Sequence, residues 1–281
     1  MLLLILTLSA VSGAIGALLG RTRFAPWLLG LGILWAFFYA LFLYDRLFLV
    51  RFLPHPVPAL VAGSCLLLPT TVGLAALAAP RLKGTSHRRA TLLTPLILGG
   101  AWHALSPFLG SPPATDSAAA GEDEVVRQTS DSSCSAASAA TILNYARIDA
   151  TESELANLCL TRISGTPMLG VYRGLRQKTA GTPWTVSVLS HANLSELRRS
   201  CQYGPVLLSV GLDRWQRGYD PRYVTEWGWT PGKRHAVVLF GFLPDGKLDI
   251  GDPSIGREKW EEKALTVLWN GEGIQLRLRG Q

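Results

Sequence analysis

The sequence predicts an α+β domain carried behind an all-α membrane region of about four transmembrane helices. Three observations predict it. Apolar residues crowd the first part of the chain, capped helical patterns open the polar remainder, and β-rich runs close it. Of 281 residues, 48% are hydrophobic and 17% charged. Their uneven spread divides the chain into a membrane region at 1–110, a linker at 111–124 and a domain at 125–281.

Apolar stretches at about 1–20, 24–44, 57–79 and 90–109 each approach the ~20 residues that cross a bilayer. A signal-peptide reading of Leu2–Leu19 lacks the usual basic start and a clean small-residue cleavage site. Arg21 and Arg23 form the first loop, Arg46 and Arg51 lie in the second, and Arg81, Lys83, Arg88 and Arg89 fill the third. No basic residue follows the fourth span until Arg127. Short loops rich in Lys and Arg stay in the cytoplasm. The bias therefore places both chain ends, and the domain, outside it, on the periplasmic or external side of a bacterial-type inner membrane. His103 beside Trp102 reads as an interfacial anchor. Gly16 and Gly20 permit close helix packing without establishing a dimer.

Residues 111–124 are rich in Pro, Ala, Gly and acid without apolar periodicity, the composition of a tether. Helical spacing of Ala137, Ile142 and Tyr145 predicts a helix over Cys134–Arg147. Thr151–Glu154 is a capping-box sequence for a short second helix. Thr166-Pro167 starts a third that ends near Gly181, and Asn193–Glu196 caps a fourth. Strands are expected at Trp184–Leu189, Pro205–Val210, His235–Leu243 and Lys247–Ile250, with a last one around Ile274–Leu278. The third and fourth flank a Pro-Asp-Gly turn and form a hairpin.

Cys134 begins a helix after a turn of serines, where unpaired backbone N–H groups and the helix dipole favour thiolate. The hairpin can bring His235 and Asp252 together. With Gln128 six residues before Cys134, these types suit thiol hydrolysis: a nucleophile, a proton carrier, a carboxylate that orients it, and an amide for a developing oxyanion. Each residue also has a bland reading: a buried cysteine, a half-buried strand histidine, an Asp-Pro turn and a surface glutamine. Of the other cysteines, Cys65 is intramembrane. Cys159 and Cys201 fit either small buried side chains or, in an oxidising compartment, a disulfide. The aromatic run Trp215–Trp229 fits equally a cleft wall and a loop packed on its own domain.

At these residues the chain resembles the bacteriocin-processing, double-glycine leader peptidases, a papain-like family of cysteine peptidases. The resemblance covers roughly Asp123–Leu268. It implies a papain-like fold with Cys134 as nucleophile, His235 and the Asp-Pro aspartate Asp252 completing the site, and Gln128 stabilising the oxyanion. Gly165-Thr-Pro-Met-Leu-Gly170 looks like the family's turn before its second long helix. Ser133 and Ser135 depart from the family's aspartate before and glycine after the cysteine. The membrane and ATPase domains that follow the peptidase in double-glycine transporters have no counterpart up to Gln281, so any separate transporter partner is undefined.

Charge and motifs exclude other classes. The net charge of +7 lies mostly in the membrane region: residues 122–281 hold 19 Lys/Arg against 18 Asp/Glu, leaving 8 against 2 before them. A nearly neutral domain gives no reason to expect nucleic acid. Gly241–Lys247 imitates a phosphate loop, yet Leu248 replaces the required Ser/Thr and strands flank the turn, so no nucleotide is expected. No zinc spacing exists, and neither metal nor cofactor is expected. The resulting expectation is a membrane-anchored cysteine peptidase, a specific processing protease acting on a peptide or protein substrate at the lipid bilayer. Its rivals are a non-catalytic peptide-binding receptor on the same fold and a thioester-based acyl transferase or amidase.

Overall fold

The computed structural model describes residues 21–52, 112–115 and 121–280, together with residues 11, 14–16, 18, 19 and 94. The chain forms two compact units, one of residues 1–49 and 53–109 and one of residues 50–52 and 110–281. In the first, helix α1 (Ala25–Phe38) continues into a π-helical turn at Tyr39–Leu43. Among the described residues no helix is long and apolar enough to cross a membrane. α1 and its π turn occupy the expected second span. The expected spans at 57–79 and 90–109 and most of 1–20 lie outside the described residues, as do Cys65 and His103.

The second unit is α+β. Three helices lead: α2 (Cys134–Tyr145), α3 (Glu152–Leu158) and α4 (Met168–Lys178). Then come β1 (Trp184–Leu189), α5 (Leu194–Cys201), β2 (Val206–Val210), a short α6 (Arg222–Thr225), β3 (His235–Phe242), β4 (Lys247–Asp252), β5 (Gly256–Glu261), α7 (Glu262–Leu268) and β6 (Trp269–Leu278). The strands form one antiparallel sheet in the order β1-β6-β2-β3-β4-β5. Local chemistry accounts for the boundaries. Asn193 and Glu196 form a reciprocal capping box at α5. At α3 only half of the expected box forms: Thr151 accepts from the Glu154 N–H, while the Glu154 carboxylate pairs with Lys178. The β3–β4 turn closes with Gly246 at φ 81°, a left-handed conformation that suits glycine.

Alternation sorts the β3 side chains between two faces. Val237 and Leu239 join Val206, Leu208, Val210, Leu248, Ile250, Leu197, Leu265 and Leu268 in one buried cluster. Burying each such side chain fully stabilises the fold by roughly 1.5–3 kcal/mol before chain entropy is counted. On the other face α2 crosses β3, with Ser138 Oγ donating to Ala236 O at 3.1 Å and Tyr145 meeting Phe240. α3 and α4 pack backbone to side chain: a Cβ on Gly170 would stand 2.1 Å from Cys159 O, and one on Gly174 would stand 2.4 Å from Cys159 Sγ.

Three features differ from the sequence reading. Residues 121–124, at the end of the segment read as a tether, fold against the domain. Gly121 and Glu124 close a turn, and Asp123 accepts from Arg127 and from the Arg257 N–H. β5 and α7 fill a stretch for which no element was expected. The last strand begins at Trp269, five residues earlier than its apolar core suggests.

Candidate active site

The four site residues named from the sequence come from four separate places. Cys134 is the first residue of α2, His235 the first of β3, Asp252 the last of β4, and Gln128 lies in the segment before α2. The fold brings them together. α2 lies across β3, so its N-terminus meets the strand's start. Continuing the β3–β4 register of Val238 opposite Gly251 sets Asp252 diagonal to His235 on the same face, within reach of a long side chain.

His235 Nε2 and Asp252 Oδ1 are 2.9 Å apart, with side chains 20% and 9% exposed. Nε2 being engaged, Nδ1 is the ring nitrogen left to face the Cys134 thiol, whose ionisation His235 and the Ala236 N–H favour. Asp252 Oδ1 also accepts from the Ser254 N–H at 2.7 Å. Gln128 is held at three points. Its N–H donates to Pro253 O at 2.8 Å, its Oε1 accepts from Ser254 Oγ at 3.1 Å, and its Nε2 donates to Ser130 O at 3.1 Å. An amide nitrogen carries two hydrogens, so one remains for the site.

The serines flanking Cys134 have structural partners. Ser133 is buried and its Oγ donates to Ser130 O, closing the turn that starts α2. Ser135 Oγ stands 4.0 Å from Cys134 Sγ. Buried Glu152 anchors the approach from α3, accepting from Thr129 N and Thr129 Oγ1 at 2.9 and 2.7 Å.

Electrostatics separate the three thiols of the domain. Burial pushes Cys134 up, but the hydrogen bond and charge of His235, the Ala236 N–H and the Ser135 hydroxyl outweigh it and hold the thiol below its ordinary value. Burial pulls the His235 imidazolium down, and Asp252 and Cys134 reverse this and raise it. Burial likewise raises Asp252, yet His235 and Ser254 hold it below the usual carboxylate range. Cys159 and Cys201 are free thiols, each pushed by burial up to about 12. Cys159 fills the α3–α4 contact and Cys201 packs against the sheet cluster.

A cavity of about 660 Å3 opens beside His235 and Asp252. Tyr223, Trp227, Trp229 and Trp260 line it, together with Gln128, Ile255 and Glu258. The Trp229 ring meets His235 edge to face at 5.7 Å and Trp260 at 5.9 Å. Part of the aromatic run therefore lines the cavity, whereas Trp215, 86% exposed, does not. Ser254, Glu258 and Trp260 were missed from the sequence. Among the described residues no group of His, Cys, Asp and Glu could hold a metal.

A thiol lowered by a neighbouring imidazole, itself hydrogen-bonded to a carboxylate, supplies the residue types that thiol-based acyl chemistry uses. Neither protein-family models nor curated proteins match the chain. Among solved structures, its neighbours include double-glycine motif peptidase domains of ABC transporters. One is a double glycine motif protease from an AMS/PCAT transporter in complex with the leader peptide, 18% identical over 55% of this chain and 90% of that one, with a TM-score of 0.41. A second is the peptidase domain of Streptococcus ComA, a bi-functional ABC transporter involved in quorum sensing, 19% identical over 55% and 98%, with a TM-score of 0.42. The Streptococcus mutans ComA peptidase domain is 20% identical over 54% and 98%, with a TM-score of 0.37.

Proposed function

We propose that the protein is a membrane-anchored cysteine peptidase that processes specific peptide or protein substrates. One observation carries this reading: the His235–Asp252 hydrogen bond stands at the start of β3 beside a cavity of about 660 Å3, and His235 lowers the thiol of Cys134 at the start of α2. Cys134 attacks the scissile carbonyl as thiolate while the second Gln128 hydrogen and the helix-start N–H take the oxyanion. His235 gives its proton to the leaving amine, the C–N bond breaks, and a Cys134 thioester remains. His235 then accepts a proton from water, which attacks the thioester and releases the acid. Asp252 holds the ring orientation throughout.

Anchoring is supported by α1, which exposes Trp27, Leu31, Leu34 and Phe37 and carries no charged residue. A helix apolar all round suits lipid better than water. Restriction to a membrane surface favours a processing enzyme over a general one.

The test is the Cys134→Ala variant, assayed on membrane-associated peptides and with a thiol-reactive probe. Hydrolysis and labelling at this position are expected to vanish while circular dichroism stays unchanged. Continued turnover overturns the assignment. Peptide binding without turnover in the parent protein supports a receptor instead.

A further inference from the structure

The cavity has a side, and that side has a chemical meaning. In the proposed reaction His235 protonates the leaving amine, so the departing part of the substrate lies on the imidazole side of the thiol. The cavity is bounded there by His235, Trp229, Trp260 and Glu258. Trp229 bridges the space edge to face, from His235 to Trp260. Glu258 and Trp260 project from β5 on the same face as Ile250 and Leu248, opposite which they pair. The Glu258 carboxylate is partly buried and accepts from Trp260 Nε1 at 2.6 Å, and it forms no ion pair among the described residues. Its charged neighbours in the interior are Asp252, which repels it, and His235.

Resting on the peptidase reading, we infer that this cavity binds the residue just after the scissile bond and selects a cationic side chain there. The stem of a Lys or Arg lies along the Trp229 and Trp260 pair, whose exposed faces attract cations, and its head meets Glu258. An anionic side chain would place a third carboxylate beside Asp252 and Glu258. Exposed Lys233, Arg234, Lys259 and Lys263 stand at the rim with Glu226 and Glu261. Those charges are of both signs and screened by solvent, so the partly buried Glu258 carboxylate decides the preference.

The test uses the full chain acylated at Cys134 by benzyloxycarbonylglycine p-nitrophenyl ester, with argininamide, leucinamide or glutamic acid α-amide added. The amine attacks the thioester, its proton passes to His235, the C–S bond breaks and a new amide forms. Product masses give transfer against hydrolysis for each amine. All three carry the same α-amino group, so differences report the side chain. Argininamide is expected to be captured about tenfold better than leucinamide, and Glu258→Gln is expected to erase that ratio. Equal capture overturns the inference while leaving the peptidase reading intact. Failure to acylate Cys134 sinks the peptidase reading instead. Calorimetric titration of the Cys134→Ala full chain with the same amides then decides the subsite alone: tighter argininamide binding that depends on Glu258 supports it, and equal or absent binding overturns it.

Discussion

At the scale of single residues, the proposed chemistry depends on which influence wins at Cys134. Burial favours the neutral thiol and His235 favours the thiolate, and His235 with its partners wins. Alkylation by iodoacetamide follows the thiolate fraction, so its midpoint is expected below the thiol's ordinary 9.0. His235→Ala leaves burial opposed only by Ala236 and Ser135, and the midpoint should rise; a midpoint that stays put would sink the Cys134–His235 pairing. Cys159 and Cys201, at about 12, should stay unlabelled near neutral pH. The stability signs follow from the same shifts. The raised His235 contributes stability that is fully present below its ordinary 6.5 and is lost as pH rises through its folded value. The lowered Asp252 and Cys134 contribute above their ordinary 3.8 and 9.0, and each contribution is lost as pH falls through the lowered value. Ser254 joins two members of the site, its N–H on Asp252 and its hydroxyl on Gln128. Ser254→Ala keeps the N–H and releases the Gln128 amide, so kcat should fall about fivefold, the size of one hydrogen bond near 1 kcal/mol. Ser254→Thr should restore it. In a Gln128→Ala background the serine should matter little, whereas additive losses in kcat would show that it acts elsewhere.

At the scale of elements, most of what positions the site could be read from patterns. The helix starting at Cys134, the capped α5 and the β3–β4 hairpin each carry a local signal, and those three deliver the thiol, the lid over the sheet cluster and the His235–Asp252 pair. β5 carried no such signal. Its Gly-Arg-Glu-Lys-Trp-Glu sequence is poor in β-formers, and it becomes a strand because β4 supplies the ladder and Asp123 and Asp249 hold Arg257. Residues that line the cavity from β5 were illegible for the same reason: tertiary pairing, not propensity, sets their face. The α3–α4 contact is another feature that composition hides. Gly170 and Gly174 lie one helical turn apart and face Cys159. In an exposed helix, alanine would be favoured over glycine by about 1 kcal/mol. Here Gly174→Ala drives a methyl into the Cys159 sulfur, and overpacking of about 1–3 kcal/mol should win. Removing the sulfur by Cys159→Ala opens the space, so the pair of substitutions should be less destabilising than their sum. Gly170→Ala meets the Cys159 carbonyl, which no side-chain change removes, and should gain no relief from the same background. Denaturant midpoints of the variants measure this, and equal relief at both glycines would refute the contact geometry.

At the scale of the whole molecule, charge is distributed in a way that bears on where the proposed peptidase works. Residues 122–281 carry 19 basic against 18 acidic side chains, so the domain has almost no net charge to steer a polyanion or to adhere to an anionic surface. The excess lies before it, at 8 against 2, in short segments between apolar stretches. Arg81, Lys83, Arg88 and Arg89 outweigh Arg46 and Arg51, and the segment from 110 to 126 has no Lys or Arg. A basic loop resists translocation, so we propose that Arg21 with Arg23 and the later four-residue group hold the first and third loops in the cytoplasm. In that proposal four crossings put the domain on the far side. Residues 121–124 belong to the domain, with Asp123 fastened to Arg257 on β5. An alkaline phosphatase fused after Gln281, which matures only outside the cytoplasm, should be active, and a fluorescent protein that needs the cytoplasm should be dark there. Replacing Arg81, Lys83, Arg88 and Arg89 with glutamine should weaken that bias and lower phosphatase activity. A silent phosphatase fusion with a bright fluorescent one would instead put the domain in the cytoplasm, where substrates are met before export rather than after it.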